Sequence, residues 1–382
     1  MTKYPIPDEL KTFINSDTLI VRSPGRINLI GEHTDYNNGF VLPAAINKAV
    51  YVAVEKSDDN KISLYSSSHN ESFEVAIKDI HPISGHWSVY ILGVVDQIKK
   101  RNYKIDGFKL AIYGDVPLGA GLSSSAAVEC ATAFALNELF ELGIERIDLA
   151  GIAQLAEHEF AGVKCGIMDQ FASLFGKKDN VIRLDCRSLE YEYFPLKLEG
   201  YKIVLLDSQV KHSLASSEYN VRRSQCEDGV AMIREKYSQV ESLRDVSLNM
   251  IEECLRGDEI IYNRCKYIVE ENIRLQEGCI DLLGGNLSAF GKKMFATHKG
   301  LSEQYGVSCE ELDFLAAAVK KLPEVIGARM MGGGFGGCTI NIVQEDAIEK
   351  VITGITEEYK RKTQKNLKAY VVQIEDGTSR IG

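Results

Sequence analysis

The chain lacks a stretch that could span a membrane. No apolar run reaches the ~18 residues a span needs, and the longest apolar-looking stretch, Phe40 to Val54, is broken by Asn47 and Lys48. It also lacks any Cys-x-x-Cys pair. Its nine cysteines are scattered and odd in number. No secretory signal is legible, so reduced thiols in a cytoplasmic protein are expected. Positive charge is in short supply. Lys and Arg total 44 against 54 Asp and Glu, a net −10, which disfavours nonspecific binding to nucleic acid or an anionic membrane. Low-complexity segments and clear internal repeats are absent too. What remains is ordinary for a globular protein: 382 residues, 45% hydrophobic and 26% charged. That is enough for one large domain or two average ones.

Strands and helices mix throughout, which gives an α+β pattern in both halves. Leu19–Arg22, Ala49–Glu55, Lys109–Asp115, Val181–Asp185, Lys202–Asp207, Gly337–Val343 and Lys368–Ile374 read as strands. Trp87–Lys100, Ser123–Phe140, Asp148–Phe160, Glu218–Lys236, Asn263–Leu283 and a segment near 346–361 read as helices. Residues 186–200 are polar, with a Pro and a Gly, and make a domain junction. The expected domains are 1–190 and 191–382.

The densest signal is Gly119-Ala120-Gly121-Leu122-Ser123-Ser124-Ser125, between a strand and an Ala-rich helix. A helix that opens on a Gly-rich loop offers unpaired N–H groups and the positive end of its dipole, so the segment reads as a phosphate cradle. Its serines would cap the helix or ligate a metal. A plain Gly turn with a Ser cap is the alternative. The loop holds no Lys and is neither a Walker A nor a Gly-x-Gly-x-x-Gly sequence. Protein-kinase motifs are missing as well. A nucleotide would have to be held by loop backbone, hydroxyls and carboxylates.

Two further clusters flank it. Arg26 precedes Gly31-Glu32-His33-Thr34-Asp35, and Asn37-Asn38-Gly39 then turns the chain. So many donors and acceptors on a turn suit a polyhydroxylated ligand; a solvated loop whose acids cap backbone is the alternative. Adjacent Glu32, His33 and Asp35 make a poor zinc site. Glu157 lies near the end of a helix, and Asp169 on the turn after its Gly162 stop, among Ile167, Met168 and Phe171. Two such acids can converge, one on a metal and one on a reacting hydroxyl. His158 sits between Glu157 and Glu159 and reads as structural. Cys165 and Cys338 read as small buried residues rather than nucleophiles. Late in the chain, Gly332-Gly333-Gly334-Phe335-Gly336-Gly337 packs five glycines into six positions. That suits a second anion-binding turn or tight packing against the first loop.

Three motifs in this order resemble the GHMP small-molecule kinases: Pro24-Gly25-Arg26, Pro117-Leu118-Gly119-Ala120-Gly121-Leu122-Ser123-Ser124-Ser125, and the late Gly cluster. Within that family the resemblance is to the galactokinase branch. It is carried by Gly25 to Tyr36, by Cys165-Gly166-Ile167-Met168-Asp169-Gln170, and by Ser216-Ser217-Glu218-Tyr219 with Arg222-Arg223. The resemblance implies a ribosomal-S5-like N-terminal domain, a ferredoxin-like C-terminal domain and an active site in the cleft between them. It also implies transfer of the ATP γ-phosphoryl to O1 of α-D-galactose, the first step of galactose catabolism. Gly119 to Ser125 would hold the triphosphate, and Ser125 with Glu157 would ligate Mg²⁺. Asp169 would take or orient the O1 proton, and Arg26 would stabilise the transferring group. Glu32, His33, Thr34, Asp35, Gly166 and Tyr219 would bind the sugar, with Asp35 and Tyr219 near its axial O4. An Arg beside Asp169 weakens it as a base, so both roles stay open. N-acetylgalactosamine or L-arabinose are alternative substrates, and a non-catalytic sensor on the same scaffold is an alternative class. The expected partners are galactose and ATP, with the chain acting as a monomer.

Overall fold

The computed structural model describes residues 4–210 and 215–381, with side chains for all of these except 215–217. Ser216 and Ser217 of the expected sugar-site motif therefore have no described side chains. In chain order the strands are β1 (Leu19–Asn28), β2 (Phe40–Val41), β3 (Pro43–Lys56), β4 (Lys61–Ser66), β5 (Glu71–Ala76), β6 (Phe108–Gly114), β7 (Asn180–Asp185), β8 (Tyr191–Pro195), β9 (Tyr201–Asp207), β10 (Val325–Met330), β11 (Cys338–Gln344), β12 (Lys368–Val372) and β13 (Ser379–Arg380). The helices are α1 (Val89–Lys100), α2 (Ser124–Leu139), α3 (Arg146–Ala156), α4 (Met168–Phe175), α5 (Ala215–Arg234), α6 (Leu248–Cys254), α7 (Glu259–Leu283), α8 (Leu287–Lys299), α9 (Glu310–Val319) and α10 (Ile348–Thr363). They build a six-stranded sheet of order β13-β1-β3-β6-β4-β5, a four-stranded sheet β10-β11-β9-β12 and a three-stranded sheet β2-β7-β8.

Side-chain size and alternation explain the layers. Helix α2 presents Ala126, Ala127, Ala131, Ala133 and Ala135, all fully buried. Small side chains let it lie close on β1 and β3, with α1 and α3 alongside. Strand β9 is apolar on both faces because it separates two cores. Ile203 and Leu205 face the large core that also holds Val21, Ile27 and Ile340. Val204 and Leu206 face Leu315, Val319, Val351 and Ile355, under α9 and α10. A further core ties α5, α6 and α7 together through Cys226, Ile233, Ile251 and Ile268.

The expected strand at 19–22 runs on to Asn28. Pro24 and Gly25 do not end it; they sit where its pairing with β3 shifts register between Pro24 and Arg26. There the Arg26 N–H leaves the ladder and donates to Leu122 O at 3.1 Å. An irregularity of this kind re-aims a side chain, and here it delivers Arg26 to the Gly119–Ser125 loop. The helix expected at 148–160 is α3 followed by one π-helical turn, Glu157–Ala161, which stops at Gly162 in the left-handed region. Asp169 does not lie on a connecting turn. It is the second residue of α4, near that helix's positive end. The polar segment at 186–200 contains β8, which pairs with β7. The last strand, β13, returns to pair with β1. Among the described residues, no helix is long and apolar enough to cross a membrane.

Candidate active site

The loop at 119–125 places Gly119, Gly121 and Ser123 in the left-handed region, at φ 76°, 76° and 54°. Ala120 and Leu122 turn inward and are buried, so only the loop backbone and the serines are available to a ligand. Ser123 does not cap α2, one of the roles the sequence offered it, and no capping hydrogen bond from a side chain is found there among the described residues. The leading amides of α2 are therefore left to water or an anion. The Ser123 hydroxyl instead donates to Asp169 Oδ2 at 2.5 Å. The other oxygen, Oδ1, accepts from Arg26 Nε at 2.8 Å, and Arg26 Nη1 donates to Gly121 O at 2.6 Å. Arg26, Asp169 and the loop thus form one hydrogen-bonded unit.

The late Gly cluster packs against this loop. A methyl on Gly121 would lie 3.2 Å from Met331 O, and one on Gly332 would lie 3.4 Å from the Gly121 Cα. Two backbones meet here where any side chain would intrude. The close-packing reading of this cluster is therefore present in the geometry.

Beside the unit is a cavity of about 220 Å³, lined by Arg26, Glu32, His33, Asp35, Asp169 and Tyr219, with Glu157, Val163, Cys165, Met168 and Gly333 completing the wall. That is below the ~300–1,000 Å³ of drug-sized sites, so it suits a small polar molecule. Asp35 opens a short 3-10 turn, Asp35–Asn37, which ends on Asn38 in the left-handed region. Thr34 does not face the cavity. Its hydroxyl lies 2.9 Å from Gly31 O and 2.5 Å from Phe40 O, and serves to hold the turn. Gly166 acts by what it omits: a methyl there would lie 1.9 Å from Asp35 Oδ2. His33 Nδ1 lies 2.7 Å from Tyr36 OH. Its Nε2 is buried, with no hydrogen-bond partner among the described residues.

Burial sets the charges. It raises Asp35 to about 7, with the negative charge of Asp169 adding to the effect. It lowers His33 to about 3, helped by Arg222 and Arg329, so the ring is neutral. Glu157 is likewise raised to about 7 by burial and by Asp169. Glu157 Oε1 accepts from Ser125 Oγ at 3.1 Å, and Oε2 accepts from Gln170 Nε2 at 2.9 Å. The same Gln170 nitrogen reaches Glu129 Oε2 at 3.1 Å. Glu129 is fully buried, and burial followed by the charge of Glu157 pushes it well above the carboxylate range. His158 is structural, as expected, but its partner is Cys165 O at 2.7 Å, not a neighbouring acid. The Cys165 thiol is pushed well up by burial and then by Glu157, which fits an unreactive role.

A pH prediction follows for the ligand-free protein. Folded Asp35 keeps its proton to about pH 7, whereas the unfolded value is 3.8. The folded state therefore binds the extra proton between those values, and this contribution to stability falls as pH rises through the window. His33 works in the opposite sense between about 3 and 6.5. Asp35→Asn removes only the first term. Its melting temperature should gain on wild type by several degrees between pH 4.5 and 7.5, on the order of a few kcal/mol at most. A constant difference across that range would contradict the burial argument.

Sequence reasoning missed three features. Arg329 is fully buried and pairs with Glu32; a lone Arg in the apolar strand Val325–Met330 was the available signal. Gln170 stands in the 165–170 motif, but nothing in that motif shows that it lies between two carboxyls. The third is a cavity of about 670 Å³ lined by Ser124, Ser125, Tyr90, His69, His86 and Trp87. Its wall comes from distant segments, and Trp87 precedes α1 instead of opening it.

Comparison with known proteins accords with this geometry. Residues 89–177 match the family model for the GHMP kinases N terminal domain, 275–361 that for the GHMP kinases C terminal, and 10–56 the galactokinase galactose-binding signature. The chain is 43% identical over 361 residues to a galactokinase of Thermotoga petrophila, covering 94% of this chain and 99% of the relative. It is 40% identical over 382 residues to one of Clostridium beijerinckii, covering 98% of each. The crystal structure of Lactococcus lactis galactokinase complexed with galactose superposes with a TM-score of 0.91 at 35% identity, over 96% of this chain and 95% of that one. A mevalonate kinase, 18% identical with a TM-score of 0.66, shares the fold. The chain belongs to the galactokinases, the ATP-dependent sugar kinases of the GHMP family.

Proposed function

We propose that the 220 Å³ cavity holds α-D-galactose with O1 toward Asp169, and that the γ-phosphoryl of ATP passes to O1 across the Arg26–Asp169–loop unit. The observation that carries this is the position of Asp169. It borders the cavity on one side and is bonded to Ser123 of the loop on the other. Each Asp169 oxygen accepts one bond and has a lone pair left. One of these takes the O1–H bond, which points the hydroxyl oxygen at phosphorus. Phosphoryl transfer passes through a loose transition state in which the nucleophile loses its proton late, so a carboxylate held by Arg26 suffices as acceptor. Arg26 is 4% exposed and fixed by Asp169 and Gly121 O. It can swing little, and it offers fixed positive charge where negative charge spreads.

Glu32, His33, Asp35 and Tyr219 would pair the sugar hydroxyls, with Asp35 and Tyr219 at O4. The left-handed loop and the uncapped start of α2 would cradle the triphosphate. The base would enter the 670 Å³ cavity, where Trp87 offers a stacking face. The family uses ATP with a divalent metal. A hydroxyl and a carboxylate 3.1 Å apart, Ser125 and Glu157, suit a hard cation that takes its remaining ligands from phosphate and water, so Mg²⁺ is proposed there. When bound, it would neutralise negative charge on the phosphates. We further propose a cytoplasmic monomer with two domains, 1–190 and 191–382.

The test is product chemistry. Purified protein with Mg²⁺-ATP should release ADP when galactose is added and not without it. The product should carry phosphate and lack a reducing end, because O1 is blocked. A phosphorylated sugar that still reduces copper would place transfer at another hydroxyl and overturn the assignment of Asp169 to O1.

A further inference from the structure

We propose that Arg329 is a positioning residue for the sugar site, acting through Glu32; this rests on reading the 220 Å³ cavity as the galactose pocket. Arg329 lies in β10, within Val-Ile-Gly-Ala-Arg-Met, and is fully buried. A guanidinium in such a place is costly unless its geometry is fully satisfied. Nε donates to Leu29 O at 2.8 Å, and Nη1 to Met330 O at 2.7 Å. Nη2 donates to Asn28 O and, at 2.5 Å, to Glu32 Oε2. One planar fork therefore reads two carbonyls and a carboxylate on the turn that carries the sugar motif. A lysine, with a single point charge, cannot do this.

Consequences for the site follow. Glu32 Oε2 is engaged by Arg329 and weakly by Asn28 Nδ2 at 3.4 Å. Oε1 is engaged by neither, and Glu32 lines the cavity. The arginine thus selects which oxygen faces a sugar hydroxyl. It also fixes the backbone between Arg26 and the sugar turn, because Ile27 alone separates Arg26 from Asn28 and Leu29. In the turn just past the end of β10, Gly332 touches Gly121 and Gly333 lines the cavity. The sugar turn and the phosphate loop are therefore registered against β10 and the turn that follows it.

The experiment is a double-mutant cycle on the full chain. Arg329→Met, Arg329→Lys, Glu32→Gln and Arg329→Met with Glu32→Gln are compared by galactose KM, ATP KM and melting temperature. Arg329→Met should raise galactose KM by ~10-fold or more, with ATP KM within about threefold of wild type. On the Glu32→Gln background the same change should add less than about threefold, since both act through one carboxylate. Arg329→Lys keeps the charge without the fork, and should raise galactose KM while remaining folded. If Arg329→Met does not fold, the lysine variant decides. A wild-type galactose KM in the folded arginine variants, or effects that multiply in the double variant, would overturn the proposal while Glu32→Gln still raises KM. If Glu32→Gln itself leaves galactose KM unchanged, the sugar-pocket reading fails, and the proposal falls with it.

Discussion

Asp169→Asn is expected to lower kcat by at least ~10²-fold, within the ~10²–10⁴ that proton-transfer groups supply, while leaving a folded protein. The geometry explains both halves of that expectation. Asn keeps the volume. Its carbonyl can continue to accept from Arg26 at the Oδ1 position, and its amide can donate to the Ser123 hydroxyl at the Oδ2 position, reversing the sense of the 2.5 Å bond. No buried group loses a hydrogen-bond partner, so the variant should fold, its melting temperature lowered only by the lost ion pair with Arg26. What disappears is the negative charge that balances Arg26 and the acceptor for the O1 proton. Galactose and ATP should still bind, since Glu32, His33 and the Gly119–Ser125 loop are untouched. Had Asp169 a purely structural role, stability would be lost and turnover of the folded fraction would be near normal. Turnover and melting measured on one preparation separate these outcomes. A folded variant retaining more than about a tenth of wild-type kcat would remove Asp169 from proton transfer.

Much of this site was legible because its parts are local. Arg26, Glu32, His33 and Asp35 fall within ten residues of one strand and turn, and the loop at 119–125 is contiguous. Glycine clusters and polar groups packed on a turn are visible without a fold. Long-range features were not. Nothing in the segment around Gly166 shows that its missing Cβ makes room for the carboxyl of Asp35, 131 positions earlier in the chain. Thr34 is expected to meet the sugar because it stands within the Glu32–Asp35 motif that the resemblance assigns to the sugar, yet turn geometry spends its hydroxyl on Gly31 and Phe40. Asp169 was placed on a turn because Gly162 signals a helix stop; that signal is correct, but a new helix begins six residues later. Strands fared similarly. The buried strand at 202–207 was readable from its unbroken apolar run. The pair β4 and β5 was not, because much of it is solvated and polar.

Galactose should be used with kcat/KM at least ~10³-fold above glucose, since a site built to pair one hydroxyl leaves its own buried groups unpaired when that hydroxyl moves. The two sugars differ only in the configuration at C4. Asp35 and Tyr219 are the groups proposed there, and Asp35 cannot follow a displaced hydroxyl. It is 9% exposed, and it rests against Gly166 so closely that a methyl on that glycine would lie 2.2 Å from its Cγ. The same contact supplies a second, sharper measurement. Gly166→Ala must push the Asp35 carboxyl out of its place. Galactose kcat/KM should then fall by ~10²-fold or more, while glucose changes little, so the preference narrows. ADP release with both sugars, measured for wild type and Gly166→Ala, gives the four numbers required. Equal kcat/KM for galactose and glucose in the wild type would refute discrimination at C4. A Gly166→Ala protein with wild-type preference would show that Asp35 is not the group that enforces it. A wild-type preference for the N-acetylated sugar would instead place the selectivity at C2.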